Sequence, residues 1–280
     1  MSILSGAGPS GLEPLIITIC GAPGSGKSTV AASFPKPFLI RTTGEAVPRD
    51  IPVDQRPAEL GETGTPDQLW EQLKALARED HEYKTLIIDS VSGLENLFVQ
   101  SVLDSDPKAK SIQQAGGGYG AGRGMVTAMH LRVRKAAEIM RKRGMNVVFV
   151  AHSDIIRIEP PDAESYTSYS LRLHDKSMSG YVDSVDVVGF LKQETIVTGD
   201  ERKRAISDGS RVLVTYLTPS NISKNRLGIH EDLPVEHGKN PLAAWIVPEK
   251  ARRGRPPKTV AAADTPADDE IRDAMQEGVN

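Results

Sequence analysis

The 280-residue chain contains one cysteine, Cys20, and only 5% aromatic residues. A single thiol forms no internal disulfide, and no Cys/His spacing suits a structural zinc. Disulfide-stapled and zinc-stapled scaffolds are thereby excluded, and a reducing, cytoplasmic setting is expected. No run of about 18 apolar residues occurs, so no membrane-spanning helix is expected. An excess of one charge is missing too: 34 Lys+Arg face 37 Asp+Glu, a formal net charge of −3. With no global positive field, any contact with nucleic acid or an anionic membrane must come from a local patch. The Gly/Ser/Pro-rich start, Met1 to Pro14, lacks the basic and apolar stretches of a secretory signal. No internal repeat is present. What remains is a chain for one large domain or two small ones, able to bury a core without staples.

Its apolar residues fall in short runs. Leu15 to Cys20 is β-branched and reads as a buried strand, followed by a loop from Gly21 to Gly26 and a helix from Lys27 to Ser33. Phe34-Pro35 stops that helix. Phe38 to Ile40 is a second strand; Thr42 to Gly64 is turn-rich, without a clear period. Thr65-Pro66-Asp67-Gln68 predicts a helix start, with Thr65 as N-cap, Pro66 at N1 and Gln68 closing a capping box. Leu69, Leu73 and Leu76 supply its buried face. Thr85 to Ile88 is a third strand, ending at Asp89-Ser90. Ala115 to Gly124 holds six glycines and reads as a flexible loop. The helix expected from Met125 to Arg143 keeps its apolar residues at helical spacing, with Gly144 as its stop. Val147 to Val150 is a fourth strand, ending at Ala151-His152-Ser153, and Val185–Leu191 and Arg211–Leu217 are later ones. Continuous apolar strands alternating with helices predict an α/β fold, a largely parallel sheet flanked by helices. The expected boundaries are a flexible N-terminus over 1–13, a core over 14–248 and a disordered tail over 249–280.

The strongest motif is Gly21-Ala22-Pro23-Gly24-Ser25-Gly26-Lys27-Ser28-Thr29, which satisfies G-x-x-x-x-G-K-[ST]. The glycines let the backbone wrap a phosphate with its N–H groups inward. Lys27 spans the β- and γ-phosphates of ATP, and the Ser28 hydroxyl ligates Mg²⁺. The strand before the motif and the helix after it are the context a true phosphate loop requires. Such a loop needs an acid on a neighbouring strand to hold the Mg²⁺ water shell, and Asp89 is the natural candidate. Ser90 follows it, where Asp-Glu type motors carry their base. Glu45, just past the second strand, is the candidate base, with a solvated loop glutamate as the alternative. Glu95 is a weaker one. His152 is either a γ-phosphate sensor or a capped strand-end histidine.

Taken together, the phosphate loop, Ile87-Ile88-Asp89-Ser90-Val91-Ser92-Gly93-Leu94, strand-Ala151-His152-Ser153 and Ser223-Lys224-Asn225-Arg226 resemble the ATPase core of RecA-like recombinases. The order looks closest to small phage-encoded RecA-like nucleotide-binding proteins associated with single-strand annealing, and covers roughly residues 14–248. The resemblance implies a RecA-like P-loop NTPase sheet, a homo-oligomer, and action on single-stranded DNA. It implies that Lys224 and Arg226 reach a neighbour's ATP, that Asp89 is the Mg²⁺-shell acid, and that His152 stands where a polar sensor, usually Gln, is found. Glu45 comes later than the family's catalytic Glu, which closes the second strand directly. It also implies two DNA-facing loops. Gly116–Gly124 would offer Tyr119 and Arg123, and Ile155–Asp175 would offer Arg157, Tyr166, Tyr169, Arg172 and His174. Arg132, Arg134, Lys135, Arg141, Lys142 and Arg143 add a basic helix face. Lys250 to Lys258 carries five basic residues, and its Arg253-Gly254-Arg255-Pro256 core resembles an AT-hook able to enter a narrow minor groove. Six acidic residues follow it, from Thr259 to Asn280, and could compete with DNA for it. A P-loop small-molecule kinase, a helicase loader or packaging-type motor and a nucleotide-gated module with little hydrolysis are the alternatives. The kinase lacks an Arg-rich lid pattern, and the motor lacks Asp-Glu at the third strand.

Overall fold

The computed structural model describes residues 13–194, 196–198, 204–206 and 209–247. The tail, with Arg253 and Arg255, lies outside the described residues, as do residues 1–12.

Twelve strands and five helices are formed among the described residues. In chain order they are β1 (Ile16–Gly21), α1 (Lys27–Ala32), β2 (Pro37–Thr42), β3 (Ala58–Thr63), α2 (Pro66–Arg78), β4 (Thr85–Asp89), α3 (Val91–Ser105), α4 (Ala121–Lys142), β5 (Asn146–Ile158), β6 (Tyr166–Leu171), α5 (Asp175–Val182), β7 (Val187–Gln193), β8 (Ile196–Thr198), β9 (Arg204–Ile206), β10 (Arg211–Val214), β11 (Lys224–Asn225) and β12 (Leu233–Pro234). The main sheet runs β12-β10-β7-β1-β5-β4-β2-β3. From β7 to β3 all neighbours are parallel; β10 and β12 close the other edge antiparallel.

Strand side chains alternate between two cores, because successive Cβ atoms point to opposite faces. Ile16, Cys20, Leu86, Ile88, Val147 and Phe149 face α2–α5, where Leu69, Phe98, Val133 and Tyr181 cover them. Ile17, Ile19, Ile87, Val148 and Val150 face α1, under Val30, Phe34 and Leu242. Both faces are dry, which is why these strands read as unbroken apolar runs. The Thr65 capping box is formed as expected, with Gln68 N–H on Thr65 Oγ1 at 3.3 Å and Pro66 at the first turn.

Several expectations change, and the strand expected over Arg211–Leu217 stops at Val214, leaving Leu217 exposed. The turn-rich stretch after Thr42 contains β3, an edge strand with Leu60 exposed and Gly61 at φ 93°. The glycine-rich stretch is not all loop: α4 starts at Ala121, four residues earlier than expected. Gly122 is there for packing, since a Cβ would fall 2.4 Å from the Ile112 carbonyl oxygen. β5 does not end at Ser153; it continues to Ile158 and pairs antiparallel with β6, from Ser153↔Leu171 to Ile158↔Tyr166. The expected loop over 155–175 is thus mostly a hairpin, followed by α5, whose N-cap is His174.

Candidate functional site

β1, β4 and β2 deliver their C-terminal ends to one edge of the sheet, β5 crosses that edge at His152, and the site is built there. β5 lies between β1 and β4, so His152 stands between the loop after Gly21 and Asp89. Gly21 is required by contact: a Cβ would sit 2.6 Å from the Leu191 carbonyl oxygen on β7. Gly24 and Gly26 hold φ of 76° and 97°, the left-handed region that favours glycine. Gly26 is also the N-cap of α1 and offers no side chain to the first-turn N–H groups.

Lys27 is buried and turns back to donate to the Ala22 carbonyl at 2.9 Å. Burial lowers its pKa, and the nearby Asp89 carboxylate opposes that. Ser28 Oγ donates to Asp89 Oδ2 at 2.5 Å. The other oxygen of Asp89, Oδ1, is buried without a partner among the described residues. Burial pushes the Asp89 carboxyl up to about 6; the Ser28 hydrogen bond opposes the rise and the Glu45 carboxylate adds to it. A buried carboxylate with a spare oxygen beside a serine hydroxyl is an incomplete oxygen set. It fits Mg²⁺, which takes one or two protein oxygens and completes its octahedron with waters and phosphate. Among the described residues no group of three or more His, Cys, Asp or Glu could hold a metal ion. The surrounding cavity, of 540 Å³, is lined by the loop together with Gly44, Glu45, Pro48, Asp50, Asp89, His152 and Arg211.

Glu45 is held rather than solvated. β2 runs to Thr42, two residues further than expected, and a turn closes with Glu45 N–H on the Thr42 carbonyl at 3.2 Å. Glu45 Oε1 accepts from Ser90 Oγ at 2.7 Å and lies 2.8 Å from His152 Nε2. The His152 hydrogen bond holds the Glu45 carboxyl below the usual range against the effect of burial, with Ser90 helping. Ser90 also caps α3, accepting from Gly93 N–H at 3.0 Å, and His152 N–H is fixed on Ser92 Oγ at 3.0 Å. Ser90, sited where a glutamate would be in Asp-Glu motors, thus positions a glutamate delivered by another strand. Sequence reasoning missed that role; its signal was the N-cap position before Val91-Ser92-Gly93.

The other candidates lie outside this cavity, though Glu95, Arg123 and Arg172 line an adjoining one of 580 Å³ that shares Gly44, Glu45 and His152 with it. Glu95 bonds His130 at 3.0 Å and Arg123 at 2.9 Å, so it braces α3 against α4 and is not free as a base. Arg123 is on α4, not on a loop, and its charge is spent on Glu95. Arg172 donates to the Ser153 carbonyl at 3.2 Å. Arg157, on the hairpin, pairs with Glu159 at 3.0 Å. Much of the basic face of α4 is engaged: Arg134 with Glu138 and the Ser184 carbonyl, Arg141 with Asp186, Arg143 with the Ala77 carbonyl, and Arg132 over Trp70. Tyr119 is fully exposed, and Tyr166 and Tyr169 are partly so. Lys224 Nζ donates to the Val182 and Asp183 carbonyls at 2.9 and 2.6 Å, capping α5, and Arg226 pairs with Asp186 at 3.5 Å. Asp186 accepts from Ile16 N–H at the start of β1, so this pair lies about 17 Å of strand away from its own phosphate loop.

Comparison with known families finds a match to the model of the AAA domain over residues 13–227. No curated protein matches the chain. Among the described residues, no helix is long and apolar enough to cross a membrane.

Proposed function

Because the chain belongs to the AAA domain family, a family of P-loop nucleotide-binding proteins, we propose that it binds ATP with Mg²⁺ and hydrolyses the γ-phosphate. The observation that carries this reading is the junction of Ser28, Asp89, Glu45 and His152 at one cavity, each from a different segment. The loop N–H groups and Lys27 hold the phosphates, and Ser28 and Asp89 hold the metal. When bound, Mg²⁺ neutralises phosphate charge and orients the transfer. Glu45, kept ionised by His152 and Ser90, orients a water and takes its proton as the water oxygen bonds to the γ-phosphorus. The bond from that phosphorus to the β–γ bridging oxygen breaks, giving ADP and phosphate.

The reading extends to single-stranded DNA in recombination or annealing, by the RecA-like order of the motifs. What supports the extension is the continuity of β5. One unbroken strand carries His152 beside Glu45 and, beyond it, the hairpin with exposed Ile155, Tyr166 and Tyr169. Tyr119 is a further stacking surface. In this reading Arg123 serves the fold rather than the DNA, and Lys224 and Arg226 act, if on nucleotide, on a second copy. The test is steady-state ATP hydrolysis with and without single-stranded DNA at two protein concentrations. Stimulation that rises with concentration supports DNA-coupled, assembled action. A rate indifferent to DNA overturns the extension, and no hydrolysis at all overturns the ATPase reading.

A further inference from the structure

β10 begins with an arginine, and the register sets its height. Gly21 pairs with Leu191, Leu191 with Leu213, and Gln193 with Arg211. Arg211 therefore enters the sheet two residues beyond the level at which β1 becomes the phosphate loop, one strand away across β7. Its mount is firm. The Arg211 carbonyl accepts from Val235 N–H at 2.8 Å, and the next residue, Val212, is paired on both sides, with Lys192 and Pro234.

From that mount the side chain crosses the end of β7 to the loop. Arg211 Nη1 lies 3.4 Å from the Ser25 carbonyl oxygen and borders the same cavity as Lys27, Ser28 and Asp89. Among the described residues this long hydrogen bond is the side chain's only one, and it leaves most of the five guanidinium donors unspent. Among the described residues no carboxylate pairs with Arg211. Glu194, one residue past its register partner, gives its Oε2 to the Ser210 hydroxyl at 2.9 Å instead. The loop also makes room for the guanidinium: a Cβ on Gly26 would fall 2.3 Å from Arg211 Nη1. The left-handed turn is what requires glycine at position 26, and the guanidinium lies close against it.

We propose that Arg211 is a phosphate-binding cation acting in cis: it bonds the phosphate oxygens of the nucleoside triphosphate held by its own chain's loop. This rests on the reading of the loop as the nucleotide site and adds a residue to it. Lys27 and Arg211 then flank the loop from two sides, one on α1 and one on β10. As the bond to the β–γ bridging oxygen breaks and negative charge moves onto the departing ADP, a fixed guanidinium in a sheltered cavity stabilises that charge. The cation arrives with the fold, whereas Lys224 and Arg226 could reach only a neighbour's nucleotide.

The experiment compares wild type with R211Q, R211K and K27A, measuring affinity for Mg·ATP and Mg·ADP and kcat at two protein concentrations. R211Q is expected to lower kcat by about 10²-fold and to shrink the preference for ATP over ADP by about tenfold, at both concentrations alike. R211K keeps the charge without the planar fork and should recover part of both losses. A structural role alone would lower the melting temperature of R211Q without moving the ATP/ADP ratio. R211Q with kcat and ratio unchanged, beside a K27A that no longer binds, overturns the proposal and leaves the loop reading standing. K27A binding Mg·ATP like wild type overturns the loop reading, and this proposal with it.

Discussion

Two regions face each other across His152. On one side lie the phosphate loop, Asp89 and Glu45; on the other, the glycine-rich turn, Arg123 and the β5–β6 hairpin. Among the described residues, the first region leaves buried polar atoms without partners, Asp89 Oδ1 and His152 Nδ1 among them. In the second, Arg123 and Arg157 have carboxylates and Arg172 has a carbonyl. Buried polar groups are normally satisfied; other exceptions are scattered through the fold, Gln72 Oε1, Arg134 Nε and Asn240 Nδ2 among them, but Asp89 and His152 line one cavity. Arg211, in the first region, pairs with no carboxylate among the described residues and borders the cavity of Lys27, Ser28 and Asp89; Arg172, likewise held by one carbonyl, lines the cavity on the other side.

Substitutions can break or sharpen that contrast. The largest effect is expected from Lys27→Ala, which should weaken Mg·ATP binding at least about 100-fold in a nucleotide titration, because the phosphates lose the cation that spans them. Glu95→Ala should leave nucleotide binding intact but cost about 3 kcal/mol in denaturant unfolding, since it strands Arg123 and buried His130. Asp89→Asn should do the reverse. With its carboxyl raised from 3.8 to about 6, the folded chain binds a proton more tightly than the unfolded one between those pH values. Native stability therefore falls as pH rises through that window. Removing the charge should abolish that slope and stabilise the nucleotide-free protein by about 1–3 kcal/mol at pH 7, while Mg²⁺-dependent nucleotide binding is lost. The smallest stability effect belongs to Tyr119→Ala, within about 0.5 kcal/mol for so exposed a side chain, yet it should weaken single-stranded DNA binding about fivefold or more. Equal affinity in a fluorescence titration would remove the glycine-rich turn from the DNA face.

What could be read from sequence was what is local in sequence. The phosphate loop, its flanking strand and helix, Asp89 at a strand end and the Thr65 capping box each depend on neighbours within a few residues. Glu45 was found as a candidate for the same reason, but its partners Ser90 and His152 come from β4 and β5, and only the folded sheet joins them. β3 escaped because an edge strand of sequence Ala-Glu-Leu-Gly-Glu-Thr carries little apolar signal and bends at Gly61. The start of α4 escaped because glycine there reads as freedom, whereas Gly122 is fixed by a backbone contact from residue 112. The hairpin escaped because its residues are largely exposed, which erases the alternation that marks a half-buried strand. Arg211 carries no local motif at all: it is placed by the register of β10 on β7, and its target is 185 residues away in the chain (Gly26 to Arg211).

The central claim is that Glu45, held by His152 and Ser90, is the group that activates water at the phosphate loop. Single-turnover hydrolysis of Mg·ATP by the full chain, wild type beside Glu45→Gln, tests it most directly. The expected result is a variant that binds Mg·ATP as tightly as wild type and hydrolyses it about 10²–10⁴ times more slowly. A Glu45→Gln protein that turns over at the wild-type rate would contradict the account.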